Sequence, residues 1–394
     1  MQKADIEVRA LTKGPHHHYF GYYDKHCWNK SQGLILAHRI DFTNRPLTKD
    51  DKAEIGVIEE STGKYEKIAE TRAWSWQQGA MLQWYPLEPE GTIMYNDNQG
   101  GQYVCVIKNI RNGKERVLPR PVAAVSRNGK WSMSINFSRL ATLRPGYGYE
   151  GITDPFDKEL VPKDDGIFWM NNETGNSRLI ISTAQIAEIK HEPRMDGKMH
   201  RFNHLQFSQD DKRFIFLHRY KKREDLDATH ITRLYTADID GGNICLLNEN
   251  DFTSHFDWKD SNHVIAFAAR SENPGWKYFL FTDCSDEVKQ YGTDELSSFG
   301  DGHCSFAHNG SVMLTDTYSR GDSKRMLMLY NDRNNDLFEL GRFHSEPWIT
   351  QARCDLHPRW SRDGMKVCFD SSHDGTRQIY VADVSKLITR MKKS

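Results

Sequence analysis

The chain has 394 residues, enough for one large all-β domain or two or three ordinary ones, and its 53 Lys+Arg almost cancel its 54 Asp+Glu. That balance leaves no global field for nucleic acid or for an anionic membrane surface. No run of 18 apolar residues occurs, which excludes a transmembrane helix.

The opening "MQKADIEVRALTKG" has no hydrophobic signal core, so the chain reads as cytoplasmic, or as periplasmic or secreted if a leader has been removed. Cys27, Cys105, Cys245, Cys284, Cys304, Cys354 and Cys368 are scattered without a CxxC pair. This predicts reduced, buried thiols, with neither a disulfide framework nor a zinc knuckle.

Taken in chain order, short β-branched and aromatic runs alternate with Gly, Asn and Asp turns, an all-β signature without heptads. One unit recurs: a short strand, a polar turn near S-x-D-G, then a hydrophobic strand. Its copies are "YYDKHCWNKSQGLILAHR" (22–39), "MLQWYPLEPEGTIMYND" (81–97), "VAAVSRNGKWSMSIN" (122–136), "HLQFSQDDKRFIFLHR" (204–219), "HFDWKDSNHVIAFAAR" (255–270), "CSFAHNGSVMLTDT" (304–317) and "HPRWSRDGMKVCFDS" (357–371). Their turns fall near 33, 91, 129, 211, 261, 310 and 364, spacings that suit four-stranded propeller blades plus loops. Third and fourth strands follow most copies, as in "RLYTADID" then "NICLLNE". The last copy runs out of chain after "RQIYVADVS", and "DIEVRALT" at the N-terminus is predicted to supply its missing strand and close the ring. The prediction is a single seven-bladed β-propeller domain over 1–394. The one long step marks an insertion over about 139–200, predicted to fold across one face and to hold a short helix at "STAQIAEIK". Its "GYGYEG" matches a dinucleotide fingerprint, but "ITDPFD" follows where a helix would be needed.

Within a blade the start of the first strand (A) and the end of the second (B) share one rim, opposite the A–B turn. His16, His17, His18, His38, His204, His218, His255, His303 and His357, nine of the 17 histidines, fall at those places. A structural repeat needs none of them there, although any single one could simply hydrogen-bond between blades. Converging polar groups at one mouth of a channel are what a pocket requires. His204, His303 and His357, with His255 and with Gln206 or a carboxylate, are candidate ligands of a divalent metal. Arg39, Arg219, Arg270, Arg353 and Arg359 could grip carboxylates in a bidentate fork, and Tyr22, Tyr23, Trp76, Trp84, Tyr147, Tyr149 and Tyr318 could offer faces to pyranose rings. Gln78 beside Trp76 is a further candidate substrate contact, and packing between blades is the plainer role for each aromatic residue.

The turn repeat, the seven blades and the mouth histidines resemble the propeller-type polysaccharide lyases, oligogalacturonate lyases foremost. The resemblance implies His204, His303 and His357 as ligands of a manganese ion, with Gln206 as a weaker candidate, and a further histidine as base. The pair His18 and His38 also resembles the paired histidines of propeller ulvan lyases. It implies an acidic oligosaccharide as partner and β-elimination as the reaction. The base is then His38 or His18, the proton donor Tyr22 or Tyr23, and the carboxylate clamps Arg39 and Arg219. Neither "HHHYFGYYD" nor "WSWQQGAMLQW" is a motif of these families. Two other classes stay open: a propeller glycoside hydrolase using two of Asp24, Asp97, Asp257, Asp316 and Asp355, and a noncatalytic propeller that binds a glycan or a protein.

Overall fold

The computed structural model describes residues 1–225, 231–307 and 310–391, so residues 308–309 of the sixth repeat copy lie outside the described residues. Seven sheets, each with four antiparallel strands and the sixth with one parallel strand added at its edge, together form a seven-bladed β-propeller. Blade one is His17–Tyr19, Leu34–Ile40, Ala53–Glu59 and Tyr65–Thr71. Blade four is Met199–Phe207, Arg213–Lys221, Ile231–Asp238 and Cys245–Asn248.

The ring closes as the sequence predicts. Blade seven consists of Arg359–Trp360, Lys366–Ser371 and Gln378–Asp383, and its outer strand is Glu7–Ala10, with Glu7 opposite Asp383 and Ala10 opposite Tyr380. Joining both ends of the chain in one sheet leaves no open seam between first and last blade. Gln2–Lys3 adds a parallel edge strand to blade six. The core lies between blades, where aliphatic side chains of one sheet meet aromatic ones of the next. Phe214, Phe216, Tyr235 and Ala237 of blade four, for example, pack with Met133, Ile167 and Ile181 of blade three.

The segment 139–200 is not one continuous insertion. It contains the outer strands of blade three, Gly166–Asn171 and Ser177–Ser182, and the short helix Thr183–Glu188 falls where the sequence predicts one. The residues outside the blade begin with the helix Phe137–Leu143, whose first turn is capped by Asn136 accepting from Arg139 N. Arg139 then pins the following loop, donating to Asp154 and to the carbonyls of Phe156, Glu159 and Leu160 while also reaching His200 O on blade four. The loop thereby crosses one mouth, with Gly146 O accepting from Gln77 N of blade two.

The cysteines require a correction. Cys245 and Cys284 form a disulfide that ties blade four to the turn after the third strand of blade five, while the other five thiols are free and buried. The two are 39 residues apart, and only the stacking of neighbouring blades brings them together.

Candidate functional site

Blade one carries a departure from the repeat that defines the site. Its inner strand leaves the sheet after Tyr19 and returns only at Trp28, which bridges to Ile35. The intervening residues enter the central channel. The Tyr22 ring lies 4.9 Å from His204, 5.9 Å from His303, 5.0 Å from His357 and 6.5 Å from His255, centroid to centroid. Tyr23 touches three of the same rings, and its hydroxyl donates to Phe256 O at 2.8 Å. Tyr23 is thus pegged to blade five, whereas Tyr22 sits in the middle of the histidines.

Two of those histidines are placed by left-handed backbone. His204 (φ +46°) sits at a bulge in its inner strand, at Asn203/Leu205, which turns it out of the alternation, and His357 (φ +42°) lies just before the inner strand Arg359–Trp360. A non-glycine residue in that region costs on the order of 1 kcal/mol or more, and such strain gathers at functional sites.

The rings differ in what they touch. His303 receives two carboxylate contacts at Nδ1, from Asp316 at 2.8 and 3.0 Å, and its Nε2 is buried without a hydrogen-bond partner among the described residues. Both nitrogens of His357 are likewise buried and unpaired. One ligand atom each of His303, Asp355 and His357 lie within 4.8 Å of one another. A carboxylate behind a histidine whose outer nitrogen faces a second histidine and another carboxylate is the donor set of a divalent metal site. The residues present therefore fit a metal. Asp355 is held between Arg325 (2.7 Å) and Arg353 (2.8 Å); burial alone would raise its carboxyl, but the two guanidinium groups hold it down at about 2.

His255 is arranged differently. Its Nδ1 lies 2.9 Å from Asp301 Oδ1, while Nε2 makes no hydrogen bond among the described residues. Burial keeps the imidazole below its usual 6.5, with Asp301 opposing. Burial would raise the Asp301 carboxyl, but its contacts with His255 and Ser254 bring it below its ordinary value. The result is a neutral, carboxylate-oriented imidazole beside His303, 4.0 Å between ring centroids.

Basic groups join the same mouth. Arg353 donates to Tyr147 Oη at 2.8 Å, and its guanidinium sits 5.7 Å from the Tyr318 ring centroid. Burial opposes ionisation of Tyr147, yet Arg353 and Arg144 bring its phenol below 10. Tyr22 moves the other way, raised well above 10 chiefly by burial. Arg219 contacts Thr232 and the Thr253 carbonyl, and burial lowers it to about 10. Directly across the strand pair from it is Arg201, 2 % exposed, none of whose three guanidinium nitrogens has a hydrogen-bond partner among the described residues. Burial, and then the neighbouring Arg219 and Arg144, push Arg201 well below its ordinary value. A buried cation without an anion is costly, and the remedy in reach is an anionic ligand.

Of the residues singled out from the sequence, the structure gathers Tyr22, Tyr23, His204, His255, His303, His357, Arg219, Arg353 and Tyr318 around this mouth. His38 is elsewhere in its contacts: Nε2 accepts from Ala80 N at 3.0 Å, the ring stacks on Tyr19, and Gly79 is so close that an added Cβ would lie 2.4 Å from Cε1. Burial takes its imidazole down to about 4, so it is a neutral packing and acceptor group. His18 is fixed by Gln378 and packs on Tyr65. Arg39 is ion-paired with Glu54, Arg359 with Asp370 and Arg270 with Glu272. Trp76 donates to Arg45 O beside Trp74 and Phe42, and Gln78 packs its carbonyl against Gly21. Gln206 donates to Asp257 rather than joining His303 and His357.

The sequence reading missed Arg201, Arg144 and the orienting role of Asp301. It named Asp355 only as a hydrolase carboxylate and Tyr147 only as a platform. Arg201 could have been found as the residue facing Arg219 on the adjacent strand; nothing local marks Asp301 as the partner of a histidine 46 residues away.

No protein-family model matches the chain, and no curated protein matches it. Among solved structures, an oligogalacturonate lyase from Vibrio parahaemolyticus is similar over 98 % of this chain and 96 % of its own, with 14 % identity and a TM-score of 0.67. An oligogalacturonate lyase in complex with manganese is similar over 97 % and 95 %, with 15 % identity and a TM-score of 0.67. A prolyl endopeptidase is similar over 94 % of this chain but 48 % of its own, with 12 % identity and a TM-score of 0.53. At such identities the likeness is one of fold: this chain shares the propeller of oligogalacturonate lyases along almost its whole length.

Proposed function

We propose that the protein is a lyase that cleaves uronate-containing oligosaccharides by β-elimination at the histidine mouth. The observation that carries this reading is an Asp-held imidazole (His255) beside the cluster of His303, Asp355 and His357, with a buried guanidinium (Arg201) opposite Arg219 that has no hydrogen-bond partner among the described residues. In outline, Arg201, Arg219 and Arg353 take the carboxylate groups of the sugar acid and withdraw charge from the adjacent C5–H bond. Nε2 of His255 accepts the C5 proton. The electrons left behind form the C4–C5 double bond as the C4–O bond breaks, and the phenol of Tyr22, kept protonated by burial, gives its proton to the departing oxygen. His303, Asp355 and His357 would hold a divalent cation such as Mn²⁺, which when bound supplies further positive charge for the carboxylate. The manganese complex of an oligogalacturonate lyase with the same fold supports that assignment.

A hydrolase is less well supported. It needs a carboxyl kept protonated near the bond, whereas Asp355 lies between two arginines, Asp316 is on His303 and Asp24 is on Lys25. Asp257 is raised to about 6 by burial, but it lines the other mouth. Among the described residues no helix is long and apolar enough to cross a membrane. The disulfide supports an oxidising compartment, periplasmic or extracellular, over the cytoplasm.

The test is incubation of the protein with uronate oligosaccharides of graded length, with and without chelator, following the ultraviolet absorbance of the 4,5-unsaturated product. A rise that chelation and His255→Ala both suppress is expected. Sugar release without that chromophore would replace the lyase with a hydrolase.

A further inference from the structure

The propeller channel has a second mouth, on the face of the A–B turns, and the reaction proposed above makes no use of it. Two adjoining cavities of about 240 and 260 Å³ open there, and they share Asp24, Lys25, His26, Arg127, Gln206 and Arg362 as walls. A small-molecule ligand of sugar size fits such a volume.

The charges of this vestibule do not balance. Lys25 and Asp24 neutralise one another at 2.8 Å. Arg362 is held through Nε by the carbonyls of Trp28 and Asn29, with no carboxylate partner among the described residues. The Arg127 side chain makes no hydrogen bond or ion pair among the described residues, although its backbone N–H is fixed by Asp211. The remaining acid, Asp257, accepts from Gln206 Nε2 at 2.7 Å and from Phe306 N at 2.9 Å. Two guanidinium groups thus line a cavity together with Gln206, whose Oε1 is a buried acceptor without a donor among the described residues. Guanidinium groups call for a carboxylate or phosphate, and a lone buried amide oxygen calls for a hydroxyl.

From this we infer that the turn-face mouth is a second binding site, for a small hydroxylated anion of the sugar-acid or hydroxycarboxylate class. The carboxylate lies between Arg127 and Arg362, and a hydroxyl donates to Gln206 Oε1. The inference does not rest on the lyase reading. It would stand for a noncatalytic propeller, because none of these six residues touches His255 or His303.

Titration calorimetry on the full chain tests it, with D-glucuronate as the probe, inorganic phosphate as an anion without the sugar, and glucose as the neutral control. Glucuronate should bind, phosphate should compete with it, and glucose should not. Arg127→Glu, at an exposed side chain with no hydrogen bond among the described residues, should weaken glucuronate at least tenfold. Gln206→Leu should weaken glucuronate but not phosphate. The same binding should persist in Arg353→Met, which alters the histidine mouth. Binding lost in Arg353→Met and untouched by Arg127→Glu would place the ligand at the other mouth and overturn the proposal, as would glucose binding equal to glucuronate. Equal loss of both anions in Gln206→Leu would remove the hydroxyl assignment.

Discussion

Asp301→Asn isolates the part of the chemistry that belongs to this chain alone. The substitution keeps the size of the side chain and removes its charge. In the native protein Asp301 Oδ1 accepts the Nδ1 proton of His255 at 2.9 Å, which leaves Nε2 as the basic nitrogen. An asparagine can instead donate its amide to Nδ1, which stabilises the opposite tautomer and puts the proton on Nε2, where it blocks proton abstraction. A charge-assisted buried hydrogen bond contributes about 1.5–3 kcal/mol, and each 1.36 kcal/mol in the barrier is tenfold in rate. The loss of the bond alone predicts a fall in kcat of about 10- to 150-fold, and reversal of the tautomer extends it toward about 10⁴-fold, as in other Asp–His pairs. KM should change little, since the arginines that hold the carboxylates are untouched. Initial rates of unsaturated-product formation, with circular dichroism to confirm folding, measure both. A variant that retains half the native kcat would show that His255 is not the base.

Other outcomes follow from the same contacts. Arg201→Met should raise KM for acidic oligosaccharides at least tenfold while stabilising the protein to urea, because it removes an unpaired buried cation; a loss of stability would mean Arg201 has a structural partner. Asp257 is raised from 3.8 to about 6 by burial, so its ionisation opposes folding. Stability should fall by up to about 3 kcal/mol as pH rises from about 4 to 7, and Asp257→Asn should flatten that slope in urea titrations. Cys284→Ser opens a disulfide spanning 39 residues, for which loop closure gives about 4 kcal/mol, read from the urea midpoint with and without reductant. His38→Ala should cost about 2–4 kcal/mol of stability by leaving Ala80 N–H unpaired and a cavity under Gly79, with no separate effect on kcat in the folded fraction.

The blades were legible because they are periodic: seven A–B turns, seven pairs of strands, and a last blade one strand short that the N-terminus completes. The mouth was legible only as a place. Repeat position tells which residues begin an inner strand, but the direction of a side chain depends on register, and a one-residue bulge reverses it. His38 and His204 occupy comparable rim positions. The first continues its strand's alternation and is buried under Gly79, while the second sits on a bulge with φ +46° and faces the channel. Pairing was equally hidden. Arg39, Arg270 and Arg359 have carboxylates that come from a neighbouring strand or turn, Glu54, Glu272 and Asp370, and Arg353 pairs with Asp355, whereas Arg201 has no hydrogen-bond partner among the described residues. The disulfide joins two blades, and no spacing within either one announces it.

The broken inner strand of blade one explains how one short segment can serve both ends of the channel. A continuous strand from His17 to Trp28 would place alternate side chains in the sheet's two faces and leave the axis open. Leaving the sheet instead puts Tyr22 among four histidines, pegs Tyr23 to Phe256 O, and directs Asp24, Lys25 and His26 to the opposite vestibule. The two tyrosines therefore form a septum. His204, with neither nitrogen hydrogen-bonded in the strict sense and Asp24 3.5 Å away, stands on it between the two mouths. An aromatic septum keeps water from running through the channel, which strengthens every charge–charge interaction at the histidine mouth. Tyr23→Phe tests this without altering the ring. It removes only the hydroxyl, which donates to Phe256 O and accepts from Phe256 N, so a fall in turnover there comes from a loosened septum, since Tyr23 makes no proposed contact with substrate. Unchanged turnover with lowered stability would reduce the segment to a packing element.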